Sequence, residues 1–127
     1  VAEVLFELKQ RGVKLAIVSD APMLKAWIRL VAMKINHLFD AVVTFDDTKE
    51  FKPSQKPFIF AFKKLKVKPH ECLMVGDRPE RDIEGAKKLG MVTCFAKYGN
   101  PKFKKKDSKA DYEINSIKEL LDIVEGY

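Results

Sequence analysis

Short apolar runs alternate with helix-like segments along this chain, and the alternation limits the folds open to it. Four runs have the length and composition of buried parallel strands: residues 14–19, 41–45, 72–75 and 91–96. A short edge strand is also predicted at 112–114. Apolar residues recur at helical spacing in five other segments: 2–9, 22–34, 54–65, 79–89 and a last helix from Ser116. This order predicts an α/β fold, a doubly wound parallel sheet.

Apolar spacing and end signals support the helices. The first is predicted by three residues on one face, Val4, Leu5 and Leu8, and Gly12 is expected to end it. The second is predicted by the spacing of Leu24, Trp27, Ile28 and Val31. In the third, four residues are expected to face inward: Phe58, Ala61, Phe62 and Leu65. Ser116 and Glu119 form a capping-box pattern before the last helix.

Size and composition predict one globular domain over residues 1–127. No apolar run approaches the ~20 residues that cross a bilayer, and no signal peptide is visible, so we expect no membrane partner. Cys72 and Cys94 lie far apart in apolar runs. We interpret them as small buried thiols rather than a metal or redox pair, and expect a reducing, cytoplasmic location.

The net charge of +6 is concentrated in two lysine clusters, at residues 63–68 and 102–109. No aromatic ladder is interleaved for base stacking, and no nucleic-acid motif is present. We therefore interpret the clusters as a solvated surface and consider a nucleic-acid partner unlikely. Such a surface would also attract an anionic substrate.

Ser19 and Asp20 end the first apolar run and are followed by Pro22 and a helix. A hydroxyl beside a helix N-terminus is typical of phosphate binding, because the first N–H groups of the helix need acceptors. An ordinary helix cap by Ser19 or Asp20 explains the same pattern, and both interpretations stay open.

Lys52 precedes Pro53 and Ser54, and Ser54 is expected to cap the next helix. Lys52 would then lie at the rim of the sheet, where its ammonium could neutralise a phosphoryl group. A lone lysine before proline is more often simply solvated. Lys56-Pro57 is a competing copy of the pattern, and Lys52 is preferred because it precedes the capped helix.

Gly76 and Asp77 end the third apolar run, and Asp82 follows five residues after Asp77. Carboxylates at the carboxyl edge of a parallel sheet favour a hard cation such as Mg²⁺. Alternatively, the acids accompany a helix N-terminus or pair with Arg78 and Arg81.

Two further acids and two histidines are weaker candidates. Asp46 and Asp47 follow the second strand and could lie on the same rim. His37 and His70 occupy helix-end or turn settings without a partner, so we expect no catalytic or ligand role for them.

The order of these three motifs resembles the haloacid dehalogenase superfamily. The family's second motif is an apolar strand that ends in Ser or Thr, as at Ser19. Its third is a lysine, often before proline, as at Lys52 and Pro53. Its fourth is Gly-Asp with a later Asp, as at Asp77 and Asp82. The resemblance covers essentially the whole chain, and it implies the core fold of that superfamily.

The family's first motif, Asp-x-Asp after a strand, is absent from this sequence. By resemblance, Val1 falls just after a helical cap, and the central first strand of the core would precede it. We therefore expect the chain to be partial, with a missing N-terminal segment or another chain completing the sheet. Unpaired strand edges would otherwise be exposed.

The resemblance implies a Mg²⁺-dependent phosphohydrolase that acts on a small phosphorylated metabolite through an aspartyl-phosphate. Ser19, Asp20 and Lys52 would bind the phosphoryl group, with Ser19 and Lys52 catalytic, and Asp77 and Asp82 would bind Mg²⁺. Within the family, a 2-haloacid dehalogenase is the alternative. Because the nucleophile is missing, a catalytically inactive fragment or interaction subunit is the other.

Overall fold

The computed structural model describes residues 2–52, 54–103 and 108–125. Pro53 and part of the second lysine cluster lie outside the described residues. The chain divides into two compact units, residues 1–66 and 67–127. Each contains parallel strands with helices between them, so the predicted α/β class is confirmed.

Within its described residues, the first unit contains two strands and four α-helices. In chain order its elements are α1 (Ala2–Gln10), β1 (Ala16–Val18), α2 (Met23–Ala32), β2 (Ala41–Val43), α3 (Phe45–Thr48) and α4 (Gln55–Leu65). β1 and β2 pair in parallel, with Ala16 opposite Ala41. Gly12 adopts φ 85° at the end of α1, a conformation that glycine accepts without strain, and it ends that helix as expected.

Most of the predicted helix faces of this unit are confirmed. The residues of α1 are buried as expected: Val4, Leu5 and Leu8. In α4, Phe58, Ala61 and Phe62 are buried, while Leu65 is half-buried. The core joins α1 and α2 to the segment before β2 through Leu5, Leu30, Ile35 and Leu38.

The buried face of α2 is not the face that carries most of its large apolar residues. Ala26 and Leu30 are its buried residues, whereas the side chains whose spacing predicted the helix are exposed: Leu24, Trp27, Ile28 and Val31. The spacing therefore predicted the helix correctly without marking the face that enters the core.

Among its described residues, the second unit contains three parallel strands in the order β3–β4–β5. Its elements are β3 (Leu73–Gly76), a π-helical segment (Pro79–Ile83) that continues into α5 (Glu84–Lys88), β4 (Val92–Ala96), β5 (Tyr112–Ile114) and α6 (Glu119–Glu125). Cys94, Ala96, Ile114 and Leu120 form its core. The edge strand predicted at 112–114 is confirmed.

Two aspartates that lie just before a strand accept hydrogen bonds from the neighbouring strand or from the residue that precedes it. Asp40 accepts the N–H of Leu15 at 2.7 Å and forms an ion pair with Lys9 at 2.6 Å. Asp111 accepts both the N–H and the hydroxyl of Thr93, at 2.8 and 2.9 Å. These hydrogen bonds lower the pKa of both carboxyl groups below the usual aspartate value.

β1 and β3 are only half-buried along their whole lengths, although their sequences are those of covered strands. Within the described residues, β1 pairs only with β2 and β3 only with β4. β4 has a strand on each side, and four of its five residues are buried. One edge of β1 and one edge of β3 are thus without a strand partner in the part of the chain described.

The main element missed by the sequence analysis is α3. Thr44 caps this short helix, and Asp47 accepts the Thr44 N–H at 2.7 Å. Lys49, at φ 58°, then ends it. A four-residue helix carries too little periodicity to be recognised in sequence. No described helix is long and apolar enough to cross a membrane.

Candidate functional site

Ser19 and Asp20 lie immediately beyond the carboxyl end of β1. The Ser19 N–H donates to the carbonyl of Val43 at 2.8 Å, and its hydroxyl accepts the N–H of Ala21 at 3.1 Å. Ser19 therefore stabilises the turn before α2 through its side chain, which agrees in part with the interpretation of Ser19 as a helix cap. A hydroxyl can donate while it accepts, so Ser19 keeps a proton that a phosphoryl oxygen could receive.

The start of α2 already has a carboxylate acceptor. The N–H of Met23, the first residue of the helix, donates to Asp46 Oδ2 at 2.5 Å. This Asp46 contact satisfies one of the helix N–H groups that the sequence analysis reserved for phosphate. Asp46 also lies 3.7 Å from Lys49 Nζ.

Lys52 comes to the same end of β1. Its N–H donates to Asp20 Oδ1 at 2.8 Å, and its ammonium donates to the carbonyl of Val18 at 2.9 Å. Val18 is the last residue of β1, so three of the predicted site residues are brought together: Ser19, Asp20 and Lys52. Lys52 is half-buried, which differs from the solvated lysine that was the alternative.

The competing lysine has a different environment. Ser54 caps α4 by accepting the N–H of Lys56, and its hydroxyl donates to Glu50. The Lys56 ammonium is exposed and forms an ion pair with Glu50 at 2.9 Å. Lys52, and not Lys56, thus reaches the carboxyl end of β1.

In the second unit, Asp77 follows the last residue of β3 and Asp82 lies in the π-helical segment. Asp82 is buried and accepts the N–H of Arg78 at 3.2 Å. The side chain of Asn100 donates to the carbonyl of Asp77 at 2.9 Å. The loop after β4 therefore holds the backbone of Asp77.

Two glycines leave room for these carboxylates. A Cβ at Gly76 would lie 2.2 Å from Asp82 Oδ2, and one at Gly99 would lie 2.4 Å from Asp77 Oδ2. Both distances are far shorter than a carbon–oxygen contact allows, so any larger residue would displace the acid. Gly76 and Gly99 are hence part of the geometry of the two aspartates.

The donor chemistry of Asp77 and Asp82 fits a magnesium ion, because both offer carboxylate oxygens. The described residues contain no group of three or more His, Cys, Asp or Glu side chains that could hold a metal. The two aspartates would therefore need additional ligands to complete a site. The alternative of a surface ion pair does not explain why Asp82 is buried.

The weaker candidates have structural roles or lie exposed. Asp46 accepts the N–H of Met23 at the start of α2, and Asp47 accepts the N–H of Thr44 at the start of α3. His37 and His70 are exposed.

The two cysteines differ in burial. Cys94 is fully buried, which raises its pKa to about 11, as expected for an unreactive thiol. Cys72 is only half-buried, so the predicted buried thiol is found at Cys94 and only in part at Cys72. It lies just before β3, which among the described residues has a strand on one side only, and partial burial still raises its pKa.

Gly99 and Asn100 were missed by the sequence analysis. The available signal was the Tyr-Gly-Asn turn that follows the β4 run, since parallel strands end at a common edge. A single glycine and asparagine in a turn are too common to be assigned a role from sequence.

Comparison with known proteins shows the family to which the chain belongs. A family model described as haloacid dehalogenase-like hydrolase matches residues 1–96. This chain belongs to the haloacid dehalogenase-like hydrolases.

Several similar proteins are phosphatases. The chain is 38% identical over 122 residues to a glyceraldehyde 3-phosphate phosphatase of Methanocaldococcus jannaschii, covering 96% of this chain and 54% of the relative. It is 35% identical over 127 residues to a putative pyrophosphatase PpaX of Caldanaerobacter subterraneus, covering 99% of this chain and 57% of the relative.

Solved structures match at the level of the fold. A HAD phosphatase from Thermococcus onnurineus matches with a TM-score of 0.88 and 35% identity, over 98% of this chain and 56% of that one. A dehalogenase matches with a TM-score of 0.85 and 29% identity, over 96% of this chain and 54% of that one. The chain thus spans about half the length of the proteins it matches.

Proposed function

We propose that the complete protein is a Mg²⁺-dependent phosphohydrolase acting on a small phosphomonoester, and that residues 1–127 form part of its core. The observation that carries the proposal is the position of Lys52 at the carboxyl end of β1, where its ammonium donates to the Val18 carbonyl and its backbone N–H donates to Asp20. Family membership and the phosphatases among the relatives support it.

The proposed mechanism assigns each residue a limited task. An aspartate outside this chain attacks phosphorus, the bond to the leaving alcohol breaks, and water then hydrolyses the aspartyl-phosphate. Ser19 and Asp20 hold and orient the phosphoryl group through the turn after β1. Lys52 neutralises charge that develops on its oxygens.

Asp77 and Asp82 would hold the magnesium ion, Asp82 directly or through water. When bound, the ion supplies positive charge that stabilises the transferring phosphoryl group. Asn100 and Gly99 would keep Asp77 in place, since Asn100 bonds to its carbonyl and Gly99 leaves room for its carboxylate.

The test is phosphate release by the complete protein, with glyceraldehyde 3-phosphate as the first substrate because several relatives carry that name. We expect EDTA to abolish the activity and excess Mg²⁺ to restore it. Asp77→Asn should require more Mg²⁺, whereas the exposed Asp122→Asn should behave as the wild type. Full activity in EDTA would contradict the metal assignment.

A dehalogenase is the second candidate, because a solved dehalogenase shares this fold at 29% identity. Halide release from a 2-haloacid without added metal would favour it over the phosphatase. We favour the phosphatase because Asp77 and Asp82 are present and offer metal ligands.

Residues 1–127 on their own are expected to be inactive. The proposed partner is a segment outside this chain that supplies the nucleophile and covers an exposed strand edge. Trapping a phosphorylated or beryllofluoride-bound aspartate on the 127-residue chain alone would contradict this. Free thiols at Cys72 and Cys94 support a cytoplasmic location.

A further inference from the structure

α2 presents an apolar stripe to solvent. The stripe consists of Leu24, Trp27, Ile28 and Val31, spaced i, i+3, i+4 and i+7, with exposures of 73%, 39%, 59% and 57%. Four large apolar residues at this spacing on one helix face are the pattern against which a second helix packs. Contiguous exposed apolar surface of this kind marks an interaction site.

The border of the stripe is positively charged. Lys25 and Arg29 lie one turn apart beside it, and residues 23–32 contain no acidic side chain. Neither Lys25 nor Arg29 has an ion-pair partner within the part of the chain that the structure describes. The occupant of the stripe should therefore bring carboxylates to this border.

A second copy of this chain does not meet that requirement. Antiparallel packing of two α2 helices would place Lys25 of one copy near Arg29 of the other, and like charges at that position repel. The overall charge of +6 adds to the repulsion.

We propose that the stripe is the docking surface for an amphipathic helix of the same protein, outside residues 1–127, with Asp or Glu beside its apolar residues. The chain spans only 54% of the relative from M. jannaschii, so the relatives contain a comparable length of chain that could supply it. The inference does not depend on the proposed activity.

Thiol labelling of the complete protein tests the proposal. Leu24→Cys places a thiol on the stripe, and Met33→Cys places one outside it at a residue that is 55% exposed. Both are made in a Cys72→Ser background, because Cys72 is half-buried and would react. We expect position 24 to react at least about tenfold more slowly than position 33 in the complete protein, and at a similar rate in the 127-residue chain.

Charge reversal tests the identity of the occupant. Lys25→Glu with Arg29→Glu should speed labelling at position 24 in the complete protein, because the acidic border would be repelled. The matched control is Lys63→Glu with Lys64→Glu on α4, which should leave that rate unchanged. High salt should also speed labelling at position 24.

Equal labelling at positions 24 and 33 in the complete protein would overturn the proposal. Protection that grows with protein concentration would also overturn it, because the occupant would then be a second copy.

In the 127-residue chain, Trp27 is the only tryptophan, so a concentration-dependent blue shift of its fluorescence would likewise indicate a second copy and overturn the proposal. If a cysteine variant does not fold, hydrogen exchange of residues 23–32 in the two unmodified proteins decides the question: slower exchange in the complete protein than in the 127-residue chain supports docking, and equal exchange contradicts it.

Discussion

At the scale of single residues, Lys52 is held at two points. Its backbone N–H bonds to Asp20 and its ammonium bonds to the Val18 carbonyl, 32 and 34 residues earlier in the chain. A lysine side chain carries about 2 kcal/mol of rotamer entropy, so restraining it costs free energy that only its contacts offset. This restraint is typical of a lysine whose charge is needed at one place.

We expect Lys52→Ala to reduce phosphate release by the complete protein by roughly 10²–10³-fold, because one charge-stabilising group is lost. Lys56→Ala is the matched control: its ammonium forms an exposed ion pair with Glu50, so activity should change little. Steady-state kinetics, with circular dichroism as a check of folding, measure both variants. Similar losses in the two variants would refute the assignment of Lys52.

The site residues that were predicted from the sequence lie next to predicted strands and helices, whereas the residues that were missed depend on contacts between distant parts of the chain. Ser19, Lys52 and Asp77 adjoin predicted elements, so their neighbourhood could be inferred from the chain. Gly99 and Asn100 matter only because their loop comes back to Asp77, and that return depends on the packing of β4 beside β3.

At the scale of secondary-structure elements, α2 shows that apolar periodicity predicts where a helix forms but not which of its faces is buried. Its large apolar residues have helical spacing, and the helix forms there. Its opposite face also carries apolar residues, Ala26 and Leu30, and this face enters the core beside Leu5 and Ile35. When both faces are apolar, packing against neighbouring elements selects the buried one.

The junction between β1 and β2 should be sensitive to acid through Asp40. Hydrogen bonds from Lys9 and Leu15 lower the pKa of Asp40 below 3.8, its ordinary value. Its contribution to the free energy of unfolding is therefore fully present above that value and is lost as pH falls through the lower folded-state pKa.

Asp40→Asn should accordingly lower the free energy of unfolding of this chain by about 1 kcal/mol or less at pH 7, since the ion pair is partly exposed. The difference from wild type should disappear as pH falls below the lowered folded-state pKa of Asp40. Urea unfolding across this pH range measures it, and Asp122→Asn on the exposed side of α6 is the control. A difference that persists at low pH would mean that Asp40 acts through packing.

At the scale of the whole molecule, β1 and β3 are less covered than their composition predicts. Both are continuous apolar runs of the kind found in sheets with helices on both faces. Both are half-buried in the structure, and each has one strand neighbour among the described residues. Their sequences are thus suited to more burial than these residues provide.

Hydrogen exchange should detect the edges of β1 and β3 that have no strand partner among the described residues. In this chain, about half of the amides of β1 and β3 should exchange rapidly, because successive N–H groups of a strand point to alternate edges. β4, with strands on both sides, is the internal control and should be protected. In the complete protein we expect β1 and β3 to reach the protection of β4. Continued rapid exchange there would mean that nothing pairs with these edges.

The sequence by itself determined the α/β class, the order of strands and helices, and the acids, hydroxyl and lysine beside the strand ends. These features are local, because they depend on periodicity, turn residues and short motifs. The tertiary structure decided which face of α2 is exposed and that Lys52 rather than Lys56 reaches β1. It also decided that Gly99 leaves room for the Asp77 carboxylate and that Asn100 bonds to the Asp77 carbonyl. Each of these depends on contacts between residues distant in sequence, and a pattern along the chain does not contain them.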